Sequence, residues 1–488
     1  MLAIPSVQRD SGFTNFITKK TNDNVPKKSA PARGEDLHPT IFREYDIRGI
    51  FGETLHPHNA YNIARAFASK AGSVQPRIIC VGRDGRVSSP VLHEAVCQGI
   101  IDSGFDVIDV GVGPTPMLYY ASYTSAAAGG IMITGSHNPP DHNGFKFVWQ
   151  RGPFYGEDLR MLRAIADAGD FIHGRGSHET ADIRGDYIHA LLKCYKGGPL
   201  NVAWDAGNGA TGDIMAVLCH KLPGQHIALN AVIDGTFPVH HPDPTVPETL
   251  SQLISVVTSH GLDAGIAFDG DGDRLGVVDD EGEILWGDQL LMLYAAEILK
   301  ENPGGTIIAD VKASGALFEE ITRLGGKPLM WKTGHSLIKS KMSEEGALLA
   351  GEMSGHLFFS DQYFGYDDAL YAALRLLNLL SRSGQKLSQL RQALPKRVNT
   401  PEIRFDCDEH RKFSVIHEVK GRLKENGADV NEIDGVRVTT DDGWWLLRAS
   451  NTQPMLVARC EAHDAAGLLR LRNELHAQLT FSDVALPE

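Results

Sequence analysis

No stretch of this 488-residue chain is apolar for anything close to the ~20 residues that a membrane span needs. Paired cysteines are missing too: the six (Cys80, Cys97, Cys194, Cys219, Cys407, Cys460) contain no C-x-x-C pair. They read as reduced, buried small hydrophobes of a cytoplasmic protein rather than a disulfide frame or a zinc ribbon. Basic residues are scarce, with 47 Lys and Arg against 61 Asp and Glu and a formal net charge of -14. That balance excludes nucleic acid and anionic membrane as partners, which need a broad basic face. It leaves room for a small anionic substrate, because a few local arginines outweigh the global field at short range. Residues 1–34 hold six Lys or Arg against two Asp and lack the apolar block of a signal peptide. Residues 1–36 are therefore expected to form a flexible tail.

What is present is 42% hydrophobic and 22% charged, the balance of a globular protein, in a chain too long for one core. Three segments share one design. "RIICVGRDGRVSSPVLHEAVCQGIIDSGFDVIDVG", "LNVAWDAGNGATGDIMAVLCHKL" and "GTIIADVKASGALFEEITRLGGKPLMWKTG" each run from apolar strand to polar loop to helical spacing, then into a second strand. Such alternation predicts parallel or mixed sheets covered by helices. Three tandem α/β domains are expected, over 37–181, 182–284 and 285–396. The last stretch, 397–488, departs from this pattern. "VRVTTDDGWWLLRASNTQPMLVARCEA" alternates and turns at Asp442-Gly443 as a hairpin does, and "AGLLRLRNELHAQL" returns to helical period, predicting an α+β domain. "PVHHPDPTVPET", Pro238 to Thr249, reads as an extended, non-helical loop between domains.

The clearest chemical signal is "FDGDGDR". Asp269, Asp271 and Asp273 alternate with Gly270 and Gly272 directly after the apolar run "AGIAF". On a regular strand the carboxylates would repel one another on one face; the glycines let the backbone curl until the oxygens converge on a cation. An EF-hand needs Gly at its sixth position and Glu at its twelfth, where this chain has Arg274 and Asp280, so a calcium loop fails. Hard oxygens with open positions suit Mg²⁺, which takes phosphate oxygens as further ligands.

Upstream, "ITGSHNPPDHNGFK" sets Ser136 at a bend, with Lys146 ten residues on. The serine lacks a G-x-S-x-G elbow, and its immediate neighbour His137 is badly placed to act as its base, which disfavours a Ser-His-Asp hydrolase. A serine carrying phosphate, neutralised by Mg²⁺, Lys146 and Arg274, needs no triad. "GEMSGH" offers Glu352, Ser354 and His356 at alternate positions, suited to the vicinal hydroxyls of a sugar. "RASNTQP" puts Arg448, Ser450, Asn451 and Thr452 in a bend rich in phosphate donors. Tyr45 and Arg48 in "REYDIRG", Lys312 in "ADVKASG" and His335 in "KTGHSLIK" complete the set. Each motif alone also fits a solvated turn.

Together, and in this order from about Phe42 to His463, these motifs resemble the α-D-phosphohexomutase superfamily, within it the bacterial phosphomannomutase/phosphoglucomutase branch. The resemblance implies four domains about a central cleft, the fourth of TATA-binding-protein-like fold. It implies that Ser136 is phosphorylated, that Asp269, Asp271 and Asp273 bind Mg²⁺ with that phosphate, and that Glu352, Ser354 and His356 read sugar hydroxyls. It makes Arg448, Ser450, Asn451 and Thr452 the grip on the non-reacting phosphate, with Tyr45, Arg48, Lys146, Arg274, Lys312 and His335 lining the cleft. The implied reaction interconverts hexose 1- and 6-phosphates through a bisphosphorylated sugar, with glucose 1,6-bisphosphate as activator, in a monomer or weak oligomer. Two departures stand out: His142 replaces the tyrosine of "DYNG", and the N-terminal extension has no counterpart. Met353 in "GEMSGH" favours use of both mannose and glucose phosphates. The alternatives are a phosphoglucosamine mutase and a Mg²⁺-dependent phosphatase with a phosphoserine intermediate.

Overall fold

A computed structural model describes residues 37–72, 74–450 and 453–487. The expected tail, 1–36, lies outside the described residues, as do Asn451 and Thr452 of the phosphate-binding bend.

Among the described residues the strands form four sheets. The first, seven-stranded, runs Ile47–Ile50, His142–Trp149, Gly129–Ile133, Ile78–Arg83, Asp106–Val112, His178–Thr180, with Gly152–Pro153 paired to His142–Trp149. The second runs Ile284–Leu285, Leu275–Asp279, Ala264–Phe268, Val202–Asp205, His226–Leu229, and the third Lys327–Trp331, Thr306–Asp310, Leu349–Gly351, Leu357–Phe359. All three are mixed. In each, parallel strands linked by helices are followed by one strand that turns back antiparallel: Gly129–Ile133 into His142–Trp149, Ala264–Phe268 into Leu275–Asp279, Leu349–Gly351 into Leu357–Phe359. The loops making these three reversals are the serine loop, the aspartate loop and the "GEMSGH" loop. One connection, repeated three times, thus carries three of the chemical motifs, each at the carboxyl end of a parallel strand where open α/β sheets gather ligands. The strands feeding the first two loops are buried along their whole length, as continuous apolar runs in the middle of covered sheets should be.

The fourth sheet is antiparallel: Val398–Asn399, Met455–Ala462, Gly443–Ala449, Val436–Thr440, Asp429–Asn431, with Ile403–Asp406 also on Met455–Ala462. Helices Arg411–Glu425 and Ala465–Thr480 cover it. Two expectations shift. The hairpin pairs Thr440 with Gly443, so its turn is Asp441-Asp442, one residue earlier than the Asp-Gly signal suggested. The proline-rich segment is not a linker: it lies inside the second unit, between strand His226–Leu229 and helix Ser251–His260, and its end enters a 3-10 turn at Pro247–Leu250. Proline is tolerated at the first helical position, where its missing N–H has no partner to lose.

Helix Ala369–Ser383 ties the units together. Most of it is buried, Arg375 and Asn378 included, and Asp368 caps it by accepting the Tyr371 amide at 2.9 Å. Asp368 also accepts the hydroxyls of Tyr187 (2.9 Å) and Tyr363 (2.8 Å). The C-terminal sheet docks on the third unit through buried arginines. Arg437 donates to the carbonyls of Val311 (2.6 Å) and Ala313 (2.8 Å), and Arg459 to that of Lys312 (2.5 Å). Trp444 lies 3.7 Å beneath the Arg437 guanidinium, and Glu461 accepts the Gly315 amide at 2.8 Å.

Candidate active site

Ser136 leaves its strand in the left-handed region, φ +50°, a conformation costly for a residue with a Cβ. Thr134 Oγ1 accepts the Ser136 amide at 2.8 Å. A wholly buried arginine, Arg86, then fills the inside of the loop. Its guanidinium donates to the carbonyls of Ser136 (2.7 Å), Asn138 (2.6 Å), Pro139 (2.5 Å) and His142 (3.0 Å) and to Asp84 Oδ2 (3.2 Å). Asp84 Oδ2 also accepts the Gly135 amide at 3.1 Å. The result is a hydroxyl held out from the bend: Ser136 Oγ donates to Asp269 Oδ2 at 3.0 Å. Contrary to expectation, His137 Nδ1 does reach that hydroxyl, at 3.1 Å, because the left-handed turn folds the neighbour's ring back over it. Burial, with Arg274, Arg48 and Lys146 nearby, pushes His137 well below the usual imidazole range.

Asp269, Asp271 and Asp273 are completely buried, and one oxygen from each lies within 4.8 Å of the other two. The loop curls as its glycines demand. Gly272 has φ +76°, and a side chain at Gly270 would stand 2.4 Å from the Ser136 carbonyl. Asp269 Oδ1 accepts the amides of Gly272, Asp273 and Arg274 at 2.9 to 3.1 Å, closing the curl. Lys146 reaches in from strand His142–Trp149 to Asp271 Oδ2 (2.8 Å) and Asp273 Oδ2. Burial and the two neighbouring carboxylates push Asp269 well above the usual carboxylate range. Burial would raise Asp271 as well, but Lys146 and the Thr115 hydroxyl carry it below that range. Asp271 Oδ1 and Asp273 Oδ1 remain buried without hydrogen-bond partners. Three buried carboxylates, two unpartnered oxygens and one balancing ammonium fit a divalent cation of oxygen-ligand preference, and make this a candidate metal centre.

Above these loops lies a cleft lined by residues of all four units. Every described candidate side chain of the other motifs is there: Tyr45, Arg48, Lys146, Arg274, Lys312, His335, Glu352, Ser354, His356, Arg448 and Ser450, with Ser136 beside them. Tyr45 Oη donates to the Thr333 carbonyl at 2.7 Å, joining the first and third units. Arg48 donates to Asp46 Oδ2 (2.8 Å) and Asn138 Oδ1 (2.7 Å). Leu275 N donates to the Gly355 carbonyl at 3.0 Å, so the aspartate and "GEMSGH" loops are joined through the backbone, and Arg274 Nε donates to His356 Nε2 at 3.0 Å. Glu352 Oε1 accepts the Gly334 amide at 2.5 Å, and Ser354 Oγ lies 3.4 Å from its other oxygen. His335 opens the helix His335–Glu345. Its Nε2 is buried without a hydrogen-bond partner, and burial with Lys339 close by pushes the ring well below the usual range. Lys312 Nζ donates to Glu402 Oε2 at 2.9 Å, and Arg448 Nε to Asp434 Oδ2 at 3.1 Å.

Met353 is the exception within its motif. It does not line the cleft; its sulfur faces Arg459 of the C-terminal sheet. Sequence reasoning missed Arg86, Asp367 and Glu402. Arg86 sits in "GRDGR", where a second arginine two residues after an aspartate was the available signal. Asp367 and Glu402 belong to none of the motifs, and the cleft residues they meet, His356 and Lys312, come from other segments of the chain.

Four family models match in chain order: Phosphoglucomutase/phosphomannomutase, alpha/beta/alpha domain I over residues 39–172, domain II over 185–282, domain III over 286–398 and the C-terminal domain over 402–478. The phosphomannomutase/phosphoglucomutase of Pseudomonas aeruginosa is 44% identical over 457 residues, covering 93% of this chain and 99% of that protein. The phosphoglucomutase of Neisseria gonorrhoeae is 45% identical over 444 residues, 90% of this chain and 96% of that one. Among solved structures, a phosphoglucomutase/phosphomannomutase family protein of Burkholderia thailandensis superposes with a TM-score of 0.88 at 41% identity, covering 93% of this chain and all of that one.

Proposed function

Since the chain belongs to the phosphoglucomutase/phosphomannomutase family and is a hexose-phosphate mutase, we propose that it interconverts the 1- and 6-phosphates of mannose and of glucose by carrying the phosphoryl group on Ser136. The observation that carries this reading is the serine itself: an unusual backbone conformation, an arginine filling its loop, and a hydroxyl 3.0 Å from a cluster of three buried aspartates.

In the forward half-reaction a sugar hydroxyl oxygen bonds to phosphorus, the bond from phosphorus to Ser136 Oγ breaks, and the hydroxyl's proton replaces the phosphoryl group on Oγ. The second half-reaction reverses this at the other end of the sugar, after the hexose 1,6-bisphosphate has turned around; glucose 1,6-bisphosphate serves as activator by charging the serine. Asp269, Asp271 and Asp273, with the Ser136 phosphate, would hold Mg²⁺, which would neutralise charge on the phosphoryl oxygens. Lys146 and Arg274 add fixed positive charge at the same place. His335 lines the cleft beside the reacting end, its Nε2 without a hydrogen-bond partner. Glu352, Ser354 and His356 hold sugar hydroxyls, and Tyr45, Arg48 and Lys312 complete the walls. Arg448, Ser450, Asn451 and Thr452 anchor the far phosphate, so binding energy from the non-reacting end positions the reacting one.

The test is mutase activity with Mg²⁺ and a trace of glucose 1,6-bisphosphate on mannose, glucose and glucosamine 1-phosphates, with free phosphate followed in the same tubes. Conversion of the mannose and glucose compounds without phosphate release supports the proposal. Preference for the glucosamine compound overturns the substrate assignment. Phosphate release without isomerisation makes the protein a phosphatase and overturns the roles given to Glu352 and Arg448.

A further inference from the structure

The C-terminal sheet carries a second cleft-lining arginine, outside every motif, in line with Arg448. Arg404 lies on strand Ile403–Asp406, where its partner across the sheet is Val457. On its other side Val457 pairs with Arg448. Residues directly opposite one another in a sheet share a face, so Arg404, Val457 and Arg448 form one row on one side. The next row, Phe405, Leu456 and Ala449, packs into the core on the opposite side, as the alternation requires. All three members of the first row line the cleft. Strands ~4.8 Å apart put the two arginine Cα atoms ~10 Å from each other, a span that two long side chains can close around one phosphate above Val457.

The arginines of this face are engaged to different degrees. Arg437 and Arg459 are buried and donate to carbonyls of the third unit. Arg448 is buried, with Nε on Asp434. Arg404 has 43% of its side-chain surface exposed, and only its Nε is engaged, donating to Glu402 Oε1 at 2.6 Å. Among the described residues its Nη1 and Nη2 have no acceptor, which leaves the outer edge of the guanidinium open for two parallel hydrogen bonds. Glu402 lines the cleft as well, and its other oxygen accepts Lys312 Nζ at 2.9 Å. One carboxylate thus stands between two cations, an excess of positive charge that an anion would balance. The competing reading is that Arg404 serves only to steady Glu402. An arginine kept for a carboxylate alone tends to grip it with both edges of the fork, as Arg323 does Glu320 in this chain, at 2.7 and 2.6 Å. Arg404 gives Glu402 one bond.

We propose that Arg404 is a further substrate-binding residue: together with Arg448 it grips the phosphate at the non-reacting end of the hexose phosphate, its Nη groups donating to phosphate oxygens while Glu402 holds its Nε. The proposal rests on the reading above that Arg448 anchors that phosphate. Since the contact is to phosphate and not to the ring, its contribution is the same for mannose and glucose compounds.

The experiment is steady-state mutase kinetics of the full chain with Mg²⁺ and glucose 1,6-bisphosphate, on glucose 1-phosphate and mannose 1-phosphate, each variant first checked by circular dichroism. Arg404→Met should lower kcat/KM ~10-fold, the size of one charge-assisted hydrogen bond, and by the same factor for both sugars. Arg404→Lys, which keeps a charge but not the fork, should lose less, and it carries the comparison if the Met variant does not fold. Unchanged kcat/KM in these variants overturns the proposal. So does a loss that differs several-fold between the two sugars, which would put Arg404 on the ring. A loss that disappears when Arg404→Met is made in a Glu402→Gln background would mean that Arg404 only steadies Glu402, and overturns the proposal too. Arg448→Met in the same assay keeps the two readings apart. Unchanged kcat/KM there removes the anchor assigned under the proposed function, whereas a loss there with none in Arg404→Met sinks the role of Arg404 alone.

Discussion

Arg86 gives the sharpest test of why the serine loop has its shape. All of its donors are used: four backbone carbonyls between Ser136 and His142, and the Asp84 carboxylate. Arg86→Met leaves those four carbonyls and a buried carboxylate facing a thioether. Charge-assisted hydrogen bonds are worth ~1.5–3 kcal/mol each but do not add, and breaking one side of a buried ion pair costs ~3–5 kcal/mol. A loss of ~3–5 kcal/mol is therefore expected, read as a lower midpoint of the first unfolding transition. The left-handed Ser136 conformation, worth ~1–3 kcal/mol of strain, loses its main restraint, and a displacement of ~1 Å in a reacting group costs ~100-fold in rate. Two assays separate these effects: kcat at saturating substrate, and the fraction of chains phosphorylated on Ser136 after incubation with glucose 1,6-bisphosphate, by mass spectrometry. The double variant Asp84→Asn/Arg86→Met removes the orphaned charge and should recover part of the stability but none of the kcat. Wild-type kcat in Arg86→Met would refute the reasoning, as would activity that returns in step with stability in the double variant.

Three further outcomes are expected. Lys146→Met leaves the three buried aspartates without their ammonium, so the metal-free protein should lose ~3–5 kcal/mol. Mg²⁺ at 100 times its Kd should add ~2.7 kcal/mol to the wild type and more to this variant; a melting temperature indifferent to Mg²⁺ in both would remove the metal assignment. Asp368 is pushed by burial up to about 6, from 3.8, against hydrogen bonds from Tyr371, Tyr363 and Tyr187. A carboxyl raised on folding contributes stability that is complete below about pH 4 and lost as pH rises through about 6, so Asp368→Asn should gain up to ~3 kcal/mol on the wild type between pH 4 and 7; thermal melts across that range check it, and parallel pH curves would contradict it. Met353→Gln should leave the ratio of mannose to glucose activity nearly unchanged, because the side chain faces Arg459 and not the cleft; a switch to glucosamine 1-phosphate would show that the residue acts on the sugar from behind its loop.

The alternating glycines of "DGDGDR" and the bend of "TGSHNP" were legible because loops that bring charge together need residues the backbone can curl around. The strand-loop-helix repeat was legible for a similar reason, its periodicity being set by each segment's own burial. Less visible was that each chemical loop reverses the chain into an antiparallel strand, since an apolar run such as "LGVVD" reads alike in either direction. The Asp442-Gly443 signal misplaced its turn by one residue because Gly443, with φ +144°, opens the strand and does not occupy the turn. The proline-rich segment looked like a linker because composition reports exposure and stiffness, and a crossover inside a unit shares both. Arg86 and Asp367 were missed for a further reason: one serves mainly backbone carbonyls, so the nearby Asp84 was its only side-chain signal, and the other meets His335 and His356 only once three segments have packed.

The seat of the C-terminal sheet has a thermodynamic consequence. Arg437 and Arg459 grip the carbonyls of residues 311 to 313, and residue 312 is the lysine that enters the cleft. Placing that lysine for a ligand and seating the sheet therefore draw on the same hydrogen bonds. By reciprocity, whatever factor the seat adds to a ligand's affinity, that ligand adds to the strength of the seat. The factor does not depend on which hydroxyl of the sugar is axial, since the arginines hold backbone and never meet the ring. Damage at the interface, Trp444→Ala for instance, should weaken every hexose phosphate by the same multiple while the order of preference among them stays as it was.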